Sequence, residues 1–449
     1  MRLTQLPLST LMLCLALALP VNRIFADSQT PIPERLDLST AIHYALENNF
    51  TILQAQQRIR EQEGLIITVK ANALPEATLN AGYTERDAGL SEPNGFFEPV
   101  TANWNMNVQI RQAVFSGGKL SKALDSQKYV EEAAYLDLQA VINQALLETR
   151  TRFYDVLLAR DQIEVEKQNV ALLEEQLQDA KNRYEAGSVS NFTVLRAEVE
   201  LANAQPALIR SKSRFRNAID SLRQNLGYVN DNPQNLQTIP EFVGDLRSDP
   251  IDFDLLAALE NGKTSRPELL RLEKIALSRE KLIKLERASN HPNVEVVAGY
   301  QASRTFESSS LSDSLHGWTL GLQTNWNIFD GRARHGRILQ AAARLEQADL
   351  DFNSRRLAVD VEIRQAYSNF EEAEQLVSAA AKVSDQAEEA LRLAGARYDA
   401  GDGTQLDILQ TRVALTQART NQLEANYSYS VAIAKLRQAM GQADAVLQK

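Results

Sequence analysis

A single cysteine stands in 449 residues, so neither a disulfide framework nor a thiolate metal site is available to the chain. It is Cys14, inside an apolar N-terminal run, and the Leu13 before it is not the small residue that lipid attachment requires. Histidine is nearly as scarce: His43, His291, His316 and His335 show no metal-ligand spacing. No Ser-His-Asp order or phosphate-cradling glycine motif accompanies them, so the sequence points away from an enzyme and away from a cofactor or metal. Paired carboxylates occur in helix-face runs such as Glu371–Glu372 and Glu388–Glu389, the pattern of a solvated surface. Basic charge is also short, with 48 Lys and Arg against 58 Asp and Glu and a net charge of −10. Such a chain is a poor partner for phosphate backbones, and no nucleic-acid partner is expected. Long apolar runs are missing too, since nothing approaches the ~18 residues of a membrane-spanning helix. The run Leu11–Leu19 lies between Arg2 and Pro20, with small Ala26 before Asp27. That is the build of a secretory signal peptide over residues 1–26.

What the sequence does contain is itself, twice. At an offset of 214, Trp104 aligns with Trp318, Phe115 with Phe329, Gly117 with Gly331, Tyr184 with Tyr398, Gly187 with Gly401 and Gly227 with Gly441. Upstream, "ALPEATLNAGY" matches "SNHPNVEVVAGY" at an offset of 217. The organisation expected is a first structural repeat over 27–229, a linker over 230–252, a second repeat over 253–441 and a tail over 442–449.

Each repeat mixes two periods. In "NWNMNVQIRQAVF", Trp104, Met106, Val108 and Ile110 alternate with Asn103, Asn105, Asn107 and Gln109, the period of a strand with one apolar and one wet face. "GWTLGLQTNWNIF" does the same with Trp318, Leu320, Leu322, Trp326 and Ile328. A weaker alternation precedes each, through Leu79 and Tyr83 and through Val296 and Tyr300, so four strands are expected. The helical period appears in steps of seven from Val359 through Ala366, Ala373, Ala380, Ala387 and Ala394, a coiled-coil seam with small residues that permit close approach. Almost nothing breaks a helix from Lys119 to Glu185 or from Arg332 to Asp399; at 1.5 Å per residue each would run ~100 Å. The motifs "RYEAGSVSNF" and "RYDAGDGTQLD" then read as hairpin tips. Gly187 and Gly401 suit a left-handed helix end, and Ser190 and Thr404 suit the cap of a return helix, with Asp407 completing a capping box. Pro206, inside the first return helix, should bend or break it.

Four strands with one lipid-compatible face cannot stand in a membrane as an open sheet, because edge N–H and C=O groups would lack partners. The chain must therefore oligomerise; two copies give eight strands and three give twelve. Three is preferred, since the accompanying long helices would wall a tunnel. Trp104, Trp318 and Trp326 all fall on expected strands and suit an interfacial aromatic girdle. The competing reading is a periplasmic coiled-coil adaptor or scaffold whose strands form a soluble β-domain.

The duplicated helix–strand–strand–helix unit, the Pro75 and Pro292 junctions, "FSGG" and "FDGR", and the paired "RYxAG" tips resemble the TolC-like outer-membrane efflux proteins. The resemblance covers about Leu36 to Gly441. It implies a mainly α fold with membrane β: a homotrimer with a twelve-stranded barrel in the outer membrane of a Gram-negative bacterium, continuous with a periplasmic α-helical tunnel. It implies a passive exit duct for efflux or type I secretion, docked to a periplasmic adaptor (membrane fusion) protein and an inner-membrane pump or ABC transporter. By the same resemblance Gly187, Ser188, Gly401 and Gly403 belong to adaptor-facing tips, and Asp407, Tyr398 and Asp402 stand at a closable aperture. The family's second ring acid falls on Gln410, its locking arginine on Gly403 and the acid that arginine engages on Thr193. A closed-state network here must differ from that pattern. For Asp407 the capping box is a competing role.

Overall fold

Asn49 shows how economically the chain turns. It ends one helix and caps the next, accepting from the N–H groups of Thr51 and Ile52, while its amide donates to the Asn225 carbonyl at 2.6 Å. The computed structural model describes residues 34–87, 102–228, 239–246, 250–304 and 314–442. The expected signal segment, part of the 230–252 linker and the tail beyond residue 442 lie outside the described residues. In order, the elements are β1 (Arg35–Leu36), α1 (Leu38–Asn48), α2 (Phe50–Ala71), β2 (Glu76–Glu85), β3 (Ala102–Phe115), α3 (Lys119–Glu185) and α4 (Asn191–Leu226). There follow β4 (Glu241–Phe242), α5 (Leu255–Ser265), α6 (Pro267–Ala288), β5 (Asn293–Arg304), β6 (Ser314–Asn325), α7 (Ala333–Asp399) and α8 (Gln405–Ala439). The second series matches the first in length: α1 and α5 have 11 residues each, α2 and α6 have 22, and α3 and α7 have 67.

Strands β2, β3, β5 and β6 form one antiparallel sheet in that order. Its register sets apolar side chains opposite one another: Tyr83 faces Trp104, Val108 faces both Leu79 and Tyr300, and Tyr300 faces Trp318. Asn107 faces Asn80 and Gln301 on the other side. Among the described residues nothing pairs with the outer edge of β2 or of β6.

At 67 residues, α3 and α7 each run ~100 Å. Near the sheet the helices lie side by side in the order α2, α3, α6, α7; toward the far end the order is α4, α3, α8, α7. Burial concentrates halfway along. In the first series Phe153, Val156 and Leu157 of α3 pack with Leu36, Tyr44, Ile219, Leu222 and Phe242. In the second, Val359, Ile363 and Phe370 of α7 pack with Leu259, Tyr429, Ile433 and Leu436. Parallel pairing of β1 with β4 seals the first core, and Arg160 clamps it by donating to the carbonyls of Phe242 and Gly244, each at 2.9 Å. The heptad seam is buried as expected at Val359, Ala373 and Ala394.

Three local expectations are corrected. Of the bend or break expected at Pro206, the break does not occur: α4 is continuous through it, with the proline exposed. Ser190 occupies the N-cap of α4 but makes no side-chain capping bond. Strand β6 stops at Asn325, opposite the first residue of β5, so Trp326 lies just beyond the strand rather than on it. Its indole instead donates to the Asn290 carbonyl at 3.0 Å.

Candidate functional site: the apolar belt and the helical tips

Two surfaces carry the residues that the sequence singles out, at opposite ends of the long helices. The first is one face of the sheet. Because the register is regular, Leu79, Tyr83, Met106, Val108, Ile110, Tyr300, Trp318, Leu320 and Leu322 form a continuous band, and every one of them is exposed. Trp318 is 77% accessible, a large apolar area to leave in water. The opposite face presents Asn80, Asn105, Asn107, Gln109, Gln301, Thr319 and Gln323. At about 3.4 Å per residue the 12 residues of β5 run roughly 37–41 Å, and at the ~45° tilt of strands in a membrane barrel the band would stand roughly 26–29 Å high. That matches a bilayer's hydrocarbon thickness. Among the described residues no helix is long and apolar enough to cross a membrane. Trp104 lies near the outer end of the sheet and is half-buried, Trp318 lies within the band, and Trp326 sits at the helix end.

The second surface is the pair of hairpin tips. Helix α3 closes with Gly187 at φ +72°, the Ser188 N–H returning to the Arg183 carbonyl at 2.9 Å. Helix α7 closes the same way, with Gly401 at φ +80° and the Asp402 N–H on the Arg397 carbonyl at 2.9 Å. Both are the left-handed endings the glycines predict. A Cβ on either glycine would meet nothing within 4 Å, so their role is conformational. Gly403 differs: a Cβ there would come within 2.9 Å of the Tyr398 nitrogen and 3.1 Å of the Arg397 carbonyl carbon. The loop therefore folds down onto the last turn of α7, and no arginine fits that position without moving backbone.

Asp407 makes the expected capping box. The Thr404 N–H and hydroxyl both donate to Oδ2, at 2.9 and 2.7 Å, while the Asp407 N–H donates to Thr404 Oγ1 at 3.2 Å. The hydroxyl of Thr404, its N–H and the more distant Arg397 hold the Asp407 carboxyl below the usual carboxylate range. The side chain is nonetheless exposed. Asp402 is held by Arg397, whose Nε lies 3.4 Å from its carboxylate.

A link that the sequence motifs do not announce joins the two tips. Arg183, the arginine of the first "RYxAG", contacts Asp179 on its own helix and Asp399 at the end of α7, both at 2.8 Å. Its guanidinium carbon stands 4.7 Å from the centre of the Tyr398 ring. The hydrogen bond that Arg183 donates to Asp179 first, and the one it donates to Asp399, push the arginine's pKa further up. Deeper between α3, α7 and α8 lies a cleft of about 340 Å³ lined by Leu172, Asp179, Arg183, Tyr398, Ile408 and Arg412. Arg412 is buried, reaching Asn169 at 3.2 Å and Glu200 at 3.6 Å. The i,i+4 spacing of Asp179 and Arg183 is visible in the sequence; the pairing with Asp399 is tertiary and is not. Among the described residues no cluster of His, Cys, Asp and Glu could hold a metal.

These features have known counterparts. The family model of the outer membrane efflux protein matches residues 41–228 and again 259–442. Protein CyaE of Bordetella pertussis is 25% identical over 395 residues, covering 87% of this chain and 81% of that protein. The cobalt-zinc-cadmium resistance protein CzcC of Cupriavidus metallidurans is 24% identical over 402 residues, 86% of each chain. The Campylobacter jejuni CmeC outer membrane channel superposes with a TM-score of 0.76 at 16% identity, over 92% of this chain and 88% of that one. At that identity the last comparison speaks for the fold.

Proposed function

The chain belongs to the outer membrane efflux protein family, and from that membership we propose that it is the exit duct of an efflux or type I secretion assembly. Three copies would close their sheets into a twelve-stranded barrel in the outer membrane, and their long helices into a periplasmic tunnel. Substrate would pass down a water-filled path without chemistry; energy and selection would come from an inner-membrane pump or ABC transporter reached through a periplasmic adaptor. The observation that carries this reading is one sheet with a bilayer-high apolar face, an Asn/Gln/Thr face and two free edges, set on helices ~100 Å long. In it the apolar band meets lipid, and the amide face lines the pore. Trp104, Trp318 and Trp326 would meet the membrane, Trp326 from just below the strand.

The tips supply the closable end. In this reading Gly187, Ser188, Gly401 and Gly403 present the surface an adaptor engages, and Tyr398, Asp402 and Asp407 stand near the aperture. Arg183 would hold the α3 and α7 tips together in the closed state, the task that Gly403 has no side chain to perform. Secretion across the inner membrane would depend on the 1–26 segment. The test is conductance: purified protein added to a planar bilayer should give unitary steps, and protein that inserts yet conducts nothing at either polarity would overturn the reading.

A further inference from the structure

We infer that β6 receives β2 of a second copy in one fixed register, Gly321 opposite the partner subunit's Thr84 and Leu322 opposite the partner subunit's Tyr83. This rests on the trimeric reading above and specifies its seam residue by residue.

The argument comes from a junction the chain already contains. Strand β3 and helix α3 meet β5 and helix α6 inside one protomer. The repeat relates β3 and α3 to β6 and α7 by 214 positions, and β5 and α6 to β2 and α2 by 217. The outer sides of β6–α7 and of β2–α2 are therefore the two halves of the same junction, separated at opposite edges of one molecule. Three observations show the halves built but unfilled. Gly117 and Gly331 share φ +62°, yet a Cβ on Gly117 would strike the His291 Cβ at 2.4 Å and the Ala288 carbonyl at 2.9 Å, whereas one on Gly331 meets nothing within 4 Å. The positions equivalent to His291 and Ala288 are Leu74 and Ala71, and Leu74 is 64% exposed. Next, Phe115 is backbone-paired with Val294 and 48% exposed, while its counterpart Phe329 is 86% exposed. Finally, β3 has two neighbours and runs to Phe115, but β6 has one and ends at Asn325 where β5 runs out. A second neighbour would extend β6 toward Phe329.

Transferring the internal register fixes the seam. Asn107 opposite Gln301 becomes Gly321 opposite the partner's Thr84, and Val108 opposite Tyr300 becomes Leu322 opposite the partner's Tyr83. Leu322 then meets the apolar Tyr83 of the partner subunit, and the same transfer sets Trp326 against the partner's Leu79 and Leu320 against the partner's Glu85. A slip of one residue would turn the apolar faces against each other's polar ones, so the competing registers are those displaced by two.

Cysteine cross-linking tests this with a clean background once Cys14→Ser removes the single native thiol. Because β2 and β6 are opposite edges of a four-stranded sheet, about 14 Å apart, a disulfide between them joins two molecules. Gly321→Cys with Thr84→Cys should give covalently linked chains on denaturing gels, about tenfold more than Gly321→Cys with Gly82→Cys or Arg86→Cys, whose Cβ separations exceed disulfide reach. Trimers whose strongest link is a displaced pair, or trimers that link through none of the three, would overturn the register while leaving the assembly intact. Absence of trimers by light scattering would defeat the assembly reading itself, and the seam with it.

Discussion

Replacing Arg183 with alanine removes a side chain that ties the tip of α3 to the tip of α7. The loss comprises the 2.8 Å contact with Asp399 and the placement of the guanidinium 4.7 Å from the Tyr398 ring centre. Asp399 is 71% exposed, so solvent screening confines the ion pair to about 0.2–1 kcal/mol. The stacked guanidinium adds about 0.5–1 kcal/mol at such a site. Each chain then loses about 0.7–2 kcal/mol, and in the proposed trimer three tips opening together would lose about 2–6 kcal/mol. That shifts the closed-to-open ratio by roughly thirty-fold to twenty-thousand-fold. Single-channel recording measures it directly, as a rise in open probability for Arg183→Ala. Arg183→Lys keeps the charge and gives up the planar stacking, so it should fall between. In Asp399→Asn the ion-pair share alone is lost, and 1 M salt should shrink the difference from the wild-type protein. Open probability unchanged in both Arg183→Ala and Asp399→Asn would refute the tie.

Other consequences are measurable. Bulky substitutions at Gly187 and Gly401 force a side chain into left-handed backbone at about 1–2 kcal/mol each and should abolish adaptor-dependent export while trimer and membrane insertion persist; normal export in both would count against adaptor docking at the tips. Because Thr404 lowers the folded pKa of Asp407, the cap is fully formed above the unfolded value near 4 and is lost as pH falls through the lower folded value. Asp407→Asn should therefore lower Tm at pH 7 and converge with the wild-type protein in stronger acid, and reduced cation selectivity in bilayers would add an aperture role that a cap alone does not provide. Leu322→Arg, within the apolar band, should cost about 2–4 kcal/mol of insertion, seen as less membrane-integrated protein with an unchanged helical circular-dichroism signal. Phe370→Ala, which empties a buried site edge-on to Phe253 at 5.1 Å, should cost about 3–5 kcal/mol of stability.

The strands were legible because alternation over ten residues survives in the register that pairs them, and the tips because only a few residue types end and restart a helix. What escaped depends on neighbours. The end of β6 is decided by where β5 begins, not by its own alternation, which continues through Trp326 and Ile328. Pro206 was legible as a helix breaker, but that α4 runs on through it is set by the packing of α4 along α3 and not by the local sequence. The Arg183–Asp399 contact spans 216 positions and is set by how two hairpins lie together. Arg412 offers no signal at all: on a helix of mixed polarity it looks like any surface arginine, yet it is buried against α3 and α4.

The claim on which the account turns is that three copies close the barrel. The mass of the protein in mild detergent, with bound detergent subtracted by multi-angle light scattering and refractometry, tests it most directly. A single species at three times the chain mass is the predicted result; a stable monomer or dimer that stays embedded in the membrane would contradict it.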